Sequence, residues 1–273
     1  MAKQIAGNAI SFALALQPDR SDLASRGCRH GRTGETIVTV DQTRLIGLLG
    51  GMSWESSALY YRLINEAAHA RMGGHHNARS LMFTLDFDEL NRLAAAGDWV
   101  RVAAVISEAA RGLEQAGAAF AMLTAVTVHT VADQVEEAIG IPLLHIADPT
   151  GEAIRAAGIR RVGLLGTRYT MELGFFAERL KQRFGIEVIV PPEEQRTALH
   201  RIIIDELTLG VVKPVSAAVL QQLAGDLGAR GAEAAVVACT ELPLLLGVDA
   251  YPMPAFDVVK LHAEAAVELA LAG

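Results

Sequence analysis

The chain has 273 residues, of which 51% are hydrophobic and 20% are charged, and its formal net charge is −7. This composition supports a sizeable core and argues against a disordered chain. The acidic balance excludes nucleic acid and anionic membranes as expected partners, because both need a basic surface. The apolar stretches fall short of the ~20 residues that a membrane span requires.

The chain has two cysteines, Cys28 and Cys239, which lie far apart in the sequence. We therefore expect no disulfide framework and a reducing compartment, the cytoplasm. A structural zinc site is not expected, because no Cys/His cluster has ligand spacing. The pair His75-His76 could bind a metal, although adjacent histidines in a loop are more often solvated.

Residues 1–42 show no pattern of a folded domain. The segment AISFALAL (9–16) has the length of a signal-peptide core, but only Lys3 precedes it and no convincing cleavage site follows. Residues 17–36 are polar and rich in Gly, Arg and Ser. We interpret 1–42 as a disordered extension outside the fold, with an organellar transit peptide as the alternative.

From Leu45 onward, short apolar runs alternate with helical stretches. Ser53 or Ser56 could cap the first of these helices. The alternation predicts an α/β fold with a parallel sheet and helices on both faces. The expected elements of the first half are strand 45–51, helix 52–72, strand 80–87, helix 98–116, strand 120–126, helix 130–139, strand 141–146 and helix 149–157.

Two motifs occur twice at nearly the same interval. The run VGLLG at 162–166 repeats IGLLG at 46–50, and AAVVACTELP at 234–243 matches FAMLTAVTVH with an offset that places Cys239 opposite Thr124. This repetition predicts an internal duplication and therefore two pseudo-symmetric α/β lobes. The predicted division is 43–157 for the first lobe, 158–255 for the second, and 256–273 for a C-terminal helix that returns to the first lobe.

Ligands of parallel α/β sheets bind beyond the carboxyl ends of the strands. We expect the loops after Gly50, Leu123, Gly166 and Ala238 to converge on one cleft between the lobes. The glycine turns lack G-x-G-x-x-G, so they do not indicate a dinucleotide site. Their backbone N–H groups would instead favour a small carboxylate, and Arg168 either adds charge there or lies on the surface.

Cys239 follows a buried strand and precedes Thr240 and Glu241. A buried cysteine is commonly an inert small hydrophobe. A helix is expected to begin here, however, and a helix N-terminus lowers a thiol pKa from ~8.5. We therefore predict that Cys239 forms a thiolate that accepts a proton or attacks carbon.

Several long motifs together resemble the cofactor-independent aspartate/glutamate racemases, over roughly residues 45–272. The resemblance implies two Rossmann-like lobes with a cleft between them, a homodimer, and no cofactor. It also implies racemisation of a small amino-acid substrate, in which two opposed cysteines exchange the α-proton. The motifs are GLLGGMSWESSALYYRLINEA (47–67), PLLHIADPTGEAI (142–154), VGLLGTRYTME (162–172) and CTELP (239–243).

The resemblance also assigns roles to individual residues. Cys239 matches the second-lobe catalytic cysteine, and Thr124 stands at the position of the first-lobe cysteine. Thr127 and His129 match the last Thr and the His of the family's C-T-N-T-M-H stretch. The implied substrate-binding residues are Met52, Ser53, Thr127, Thr240, Glu241 and Lys213.

The chain departs from that stretch, since it reads T-A-V-T-V-H at 124–129, with Val126 in place of the Asn. A hydroxyl is a poor proton acceptor near neutral pH. Three functions therefore stay open. They are an amino-acid racemase that uses Cys239 and Thr124, an isomerase or lyase that uses Cys239 alone on a small carboxylate, and a non-catalytic protein that binds a small carboxylate.

Overall fold

The computed structural model describes residues 43–272, and the predicted extension 1–42 lies outside them. These residues form two parallel sheets. The strands of the first sheet are β1 (Ile46–Gly50), β2 (Ser80–Thr84) and β3 (Phe120–Leu123). The strands of the second sheet are β4 (Arg161–Gly166), β5 (Glu187–Ile189), β6 (Ala234–Ala238) and β7 (Ala255–Asp257).

Helices connect the strands and cover the sheets. Those of the first half are α1 (Trp54–Met72), α2 (Phe87–Ala95), α3 (Trp99–Gln115), α4 (Ala132–Ala138) and α5 (Ala147–Ala156). Those of the second half are α6 (Arg168–Glu172), α7 (Phe175–Phe184), α8 (Glu193–Asp205), α9 (Pro214–Ala229), α10 (Leu242–Leu245) and α11 (Val258–Leu271). Short 3₁₀ turns cover Thr127–Val131, Leu207–Leu209 and Val248–Ala250.

The two sheets share one strand order. The first sheet runs β2-β1-β3 and the second runs β5-β4-β6-β7. In both sheets the strand that comes first in the chain lies between the second and the third. The repeated glycine motifs form the central strands β1 and β4, whose residues are almost all buried. The fold predicted from the repeats, two pseudo-symmetric α/β lobes with parallel sheets, is confirmed.

Strand β1 is apolar throughout because both of its faces are covered. Ile46 and Leu48 belong to a core that continues into the second sheet, whereas Leu49 belongs to a second core packed under α3. The two lobes therefore share one continuous core on the side of α1. The second core is confined to the first lobe and forms one wall of the cavity described below.

Two of the predicted elements differ from the structure. The strand expected at 141–146 is a single bridge between Ala121 and Leu143, because the chain turns into α5 at Ala147. The strand expected at 80–87 ends at Thr84, and a helix that we did not predict, α2, follows it. Asp86 starts this helix, since its side chain accepts a hydrogen bond from the Glu89 N–H at 3.1 Å.

The turn after β1 depends on a glycine and a serine. Gly51 has φ of +88°, and a Cβ there would lie 2.0 Å from the Leu85 carbonyl oxygen, so only glycine fits. Ser53 caps α1 by accepting a hydrogen bond from the Ser56 N–H at 3.2 Å, which confirms one of the two predicted caps. These contacts fix the loop from which Met52 and Ser53 project.

Helix α11 packs against α1 and α5 of the first lobe. Its buried His262 contacts the Tyr60 hydroxyl on α1 at 2.9 Å and the Leu144 carbonyl at 2.8 Å. The end of the chain thus lies against the first sheet's helices, after the second sheet is complete. Of the helices in residues 43–272, none is long and apolar enough to cross a membrane.

Candidate active site

A cavity lies where the carboxyl ends of the two sheets meet. The four loops predicted to converge there all contribute to it, which confirms the interlobe cleft. The loop after β1 contributes Met52 and Ser53, the loop after β3 contributes 125–128, the loop after β4 contributes Thr167 and Tyr169, and the loop after β6 contributes 239–241. Helices α2, α3 and α8 complete the lining.

The polar end of this cavity is built around Glu241. The Cys239 thiol donates a hydrogen bond to Glu241 Oε2 at 2.9 Å, and the Thr240 hydroxyl donates to the same oxygen at 2.6 Å. Cys239 is only 6% exposed and Glu241 only 8%, so both groups are nearly withdrawn from water. One carboxylate oxygen therefore fixes the positions of the thiol and the hydroxyl.

The thiol of Cys239 is held in its protonated form. Burial raises its pKa well above the usual value, and the neighbouring Glu241 carboxylate raises it further. The N–H groups of Glu241 and Leu242 act in the opposite direction, but they are the smaller influence. The predicted thiolate is therefore wrong, because burial and the adjacent carboxylate outweigh the N-terminus of the four-residue helix α10.

Hydroxyl groups join the two lobes across the cleft. The Ser56 hydroxyl of α1 donates to Thr240 Oγ1 at 2.7 Å, and Thr240 in turn donates to Glu241. Thr127 Oγ1 lies 3.0 Å from Thr167 Oγ1, the first residue after β4. Each of the two contacts links the first lobe to a loop of the second, so the distance between the lobes and the position of Glu241 are set together.

Thr124 lies outside the cavity lining. Its side chain is fully buried, and its Oγ1 lies 3.3 Å from Ser57 Oγ behind the first glycine loop. The expectation that this hydroxyl faces Cys239 is therefore corrected. The cavity lining begins one residue later, at Ala125, in the loop that follows β3.

Of the other residues predicted to lie at the site, some line the cavity and some lie outside it. Met52, Ser53, Thr127, Thr240 and Glu241 all line the cavity with Cys239. Lys213 is not in the lining, because its Nζ lies 3.2 Å from Glu206 Oε1 and its side chain is half exposed. Arg168 also lies outside the lining and pairs with Glu172 at 3.9 Å.

Several lining residues were missed by the sequence reasoning. Thr167 could have been found, since it follows the second glycine strand where Gly51 follows the first. His200 on α8, together with Phe87 and Trp99 at the starts of α2 and α3, carried no signal of this kind. Their side chains reach the cavity only through the packing of helices.

Three buried histidines lie behind the loop that follows β3. The His129 ring is 4.7 Å from that of His145 and 5.8 Å from that of His262, between ring centroids. His129 Nδ1 lies 2.9 Å from the Ala125 carbonyl, and its Nε2 accepts from the Ile146 N–H at 3.3 Å. Because a carbonyl only accepts, Nδ1 carries the proton and His129 is neutral. It holds the backbone of the cavity loop rather than lining the cavity.

The fold and the cavity together define a class of protein: two-lobed α/β proteins with a ligand-sized cavity between the carboxyl ends of two parallel sheets. Residues 49–266 match the model of the Asp/Glu/hydantoin racemase family. The match covers most of the chain, and the protein belongs to this family.

Solved structures support this assignment. A "putative Asp/Glu racemase" from Yersinia pestis is 44% identical with a TM-score of 0.79, over 84% of this chain and 99% of the other. An aspartate racemase homologue from Pyrococcus horikoshii is 30% identical with a TM-score of 0.73, over 83% of this chain and 99% of the other. Glutamate racemase from Francisella tularensis, 14% identical with a TM-score of 0.60 over 84% and 81% of the two chains, shows the shared fold alone.

Replacing Glu241 with Gln should make the Cys239 thiol more acidic. The change removes the negative charge that raises the thiol pKa and leaves burial unchanged. In a Cys28→Ser background, the rate of alkylation by iodoacetamide should rise at a lower pH in Glu241→Gln than in the parent protein. Glu264→Gln, an exposed change on α11, is the control and should leave the profile unmoved. An identical profile in both variants would show that the carboxylate does not hold the thiol proton.

The buried histidines should make the protein acid-sensitive. Burial, helped by neighbouring charges, lowers the pKa of His145 to about 2, and burial lowers that of His262 to about 4. The unfolded chain binds these protons below about pH 6.5, whereas the folded protein does not. The folded state therefore becomes less stable relative to the unfolded state as the pH falls from that value. For His262 the free energy of unfolding continues to fall down to about pH 4, by up to about 1.4 kcal/mol per pH unit.

Urea denaturation at a series of pH values measures this slope. His262→Asn should reduce the slope by about one proton, in addition to lowering stability at every pH. His69→Asn, at an exposed position of α1, is the control and should keep the parent slope. An unchanged slope in His262→Asn would mean that this histidine does not titrate differently in the folded and unfolded states.

Proposed function

We propose that the protein is a cofactor-independent amino-acid racemase in which Cys239 carries the α-proton. The observation that supports this is the hydrogen bond from the Cys239 thiol to Glu241 Oε2 at 2.9 Å inside the cavity. It joins a proton carrier to a group that can receive its proton. Membership of the Asp/Glu/hydantoin racemase family supports the same reaction class.

In this proposal Glu241 takes the thiol proton and leaves a thiolate at Cys239. The thiolate then removes the α-proton: the Cα–H bond breaks, an S–H bond forms, and the electron pair passes into the substrate carboxyl group. Return of a proton to the same carbon reverses the step. A thiol with a raised pKa suits this role, because its thiolate is a stronger base than an ordinary one.

Hydroxyl groups in the cavity can receive the substrate carboxylate. Ser53, Thr127 and Thr167 line the same cavity as Cys239, and Ser53 caps the N-terminus of the long helix α1. Hydroxyl donors and a helix N-terminus both favour a negative group. We propose that the α-carboxylate lies among these groups, with the α-carbon towards Cys239.

A second candidate function is a one-sided reaction, an isomerase or lyase that uses Cys239 alone. The observation that favours it is the first-lobe loop in the cavity, where Ala125, Val126, Thr127 and Val128 line the wall. Three of these side chains can neither accept nor donate a proton, and the hydroxyl of Thr127 is a poor proton acceptor near neutral pH. Racemisation needs proton transfer on both faces of the α-carbon, so this wall would slow inversion relative to exchange at the Cys239 face.

We also propose that the protein is a cytoplasmic homodimer with no nucleic-acid or membrane partner, and that its reaction needs no cofactor. The family resemblance supports the homodimer and the absence of a cofactor, and the acidic composition supports the choice of partners. Light scattering after size-exclusion chromatography measures the oligomeric state.

Incubation of each amino-acid enantiomer in D₂O, followed by NMR and chiral chromatography, tests the proposal. The enantiomer whose α-proton faces Cys239 should gain deuterium faster than it inverts, and its mirror image should exchange more slowly. Cys239→Ser should lose about 10²–10⁴-fold of the exchange, the usual contribution of a general acid–base group. Cys28→Ser is the control and should keep the rate.

Retention of most exchange in Cys239→Ser would overturn the assigned role of Cys239. Equal exchange of both enantiomers in the parent protein would instead show that a second base lies opposite Cys239, and the one-sided candidate would then be wrong.

A thiol placed at residue 125 should supply a second group that exchanges the α-proton. Ala125 lines the cavity, whereas Thr124 is buried against Ser57, so Ala125→Cys and Thr124→Cys form a matched pair. Ala125→Cys should raise the rate of inversion, with each factor of ten worth about 1.4 kcal/mol of barrier. Thr124→Cys should leave inversion near the parent value. A larger gain from Thr124→Cys would contradict the placement of these two side chains.

A further inference from the structure

We infer that the cavity selects amino acids with an apolar side chain, aliphatic or aromatic, over aspartate and glutamate. This inference rests on the proposed function, since it names the substrate class of the same site. It is carried by the chemistry of the cavity wall that α2 and α3 form, by the exposure of apolar side chains in the cavity, and by the charges around it.

The wall formed by α2 and α3 is apolar. Its lining residues are Phe87, Leu90, Asn91, Ala94, Trp99 and Val102, whose only polar side-chain groups are the Asn91 amide and the Trp99 indole N–H. Leu90 and Val102 also belong to the packed core of the first lobe. The wall is therefore supported from behind by that core.

Large apolar side chains in this cavity remain in contact with solvent. Phe87 is 42% exposed and Ile204, on α8 of the second lobe, is 40% exposed, and both line the cavity. An apolar substrate side chain would cover this surface, whereas a carboxylate would lose water there without gaining a partner.

Aromatic rings extend from this wall into the second lobe. The Trp99 ring lies edge-on to Tyr169 with 5.9 Å between centroids, and Tyr169 lies edge-on to His200 at 5.8 Å. All three residues line the cavity. Such a row offers ring faces and edges to a flat or branched apolar group.

The charges around the cavity disfavour a second substrate carboxylate. Among the described residues that line it there is no Lys or Arg, and Glu241 already contributes a negative group. Burial, with the nearby Arg168, lowers the pKa of His200, so this ring is neutral near pH 7. Arg168 and Lys213 lie outside the lining: Arg168 lies over the Tyr169 ring and pairs with Glu172, and Lys213 pairs with Glu206. A side-chain carboxylate would be desolvated without an opposite charge.

Side-by-side exchange and binding measurements test the inference. Both enantiomers of leucine, phenylalanine, aspartate and glutamate are incubated with the full chain in D₂O, and loss of the α-proton is followed by NMR. Saturation-transfer NMR on Cys239→Ser measures binding of the same compounds without turnover. Leucine or phenylalanine should exchange about tenfold faster than aspartate and glutamate, or more, and should bind preferentially.

A matched pair of variants tests the charge argument. Asn91 lines the cavity at an exposed position of α2, so Asn91→Arg brings a cation to the apolar wall. It should raise aspartate and glutamate exchange relative to leucine. Ala104→Arg adds the same charge at an exposed position of α3 outside the lining, and should leave the ratio unchanged.

The outcomes separate this inference from the proposed function. Exchange of aspartate or glutamate as fast as that of leucine and phenylalanine overturns the selectivity and leaves the racemase proposal standing. No exchange with any amino acid overturns the racemase proposal. Binding to Cys239→Ser then decides the selectivity alone: preference for leucine or phenylalanine supports it, and equal or reversed preference overturns it.

Discussion

The buried carboxylate of Glu241 is the constraint on which the cleft depends. Removing a carboxylate from water is costly unless donors replace the lost hydration. Here the donors are the Cys239 thiol and the Thr240 hydroxyl, both on one oxygen. Thr240 also accepts from Ser56 of the first lobe, so the carboxylate that controls the thiol is positioned by a contact between the lobes. Burial and this carboxylate together raise the pKa of the Cys239 thiol, and the contact between the lobes sets where the carboxylate lies.

The cavity is chemically divided. Proton carriers and hydroxyls gather at the ends of β1, β4 and β6, where loops are short and backbone groups are available. The opposite wall comes from α2, α3 and the loop after β3, whose lining side chains are almost all apolar. Cys239 is the thiol of this cavity, and Ala125 and Val126 in its lining carry no group that exchanges a proton, so the two faces of a bound substrate would be unequal. The proposed reaction and the inferred preference for apolar side chains arise from this one asymmetry.

The histidines behind the cavity are structural. Each of His129 and His262 places one nitrogen against a backbone carbonyl, and this fixes the neutral tautomer of both rings. Through the Ala125 carbonyl, His129 holds the loop that lines the cavity, and through Tyr60, His262 ties α11 to α1. Their neutral state stabilises the cavity loop at neutral pH and makes its support sensitive to acid.

The sequence by itself determined the two-lobed parallel fold and the position of Cys239, because repeated glycine strands and apolar runs are local patterns. The rule that parallel strands end at the same edge also brought the loops after Gly50, Leu123, Gly166 and Ala238 to one cleft, and the family resemblance supplied the individual residues there. Only the tertiary structure decided that Ala125 lines the cavity and Thr124 does not, since the packing of Thr124 against Ser57 of α1 depends on a contact distant in sequence. It likewise decided the protonated state of Cys239, the withdrawal of Lys213 to Glu206 and the apolar wall from α2 and α3. Each of these depends on burial and on neighbours distant in sequence, which local patterns do not record.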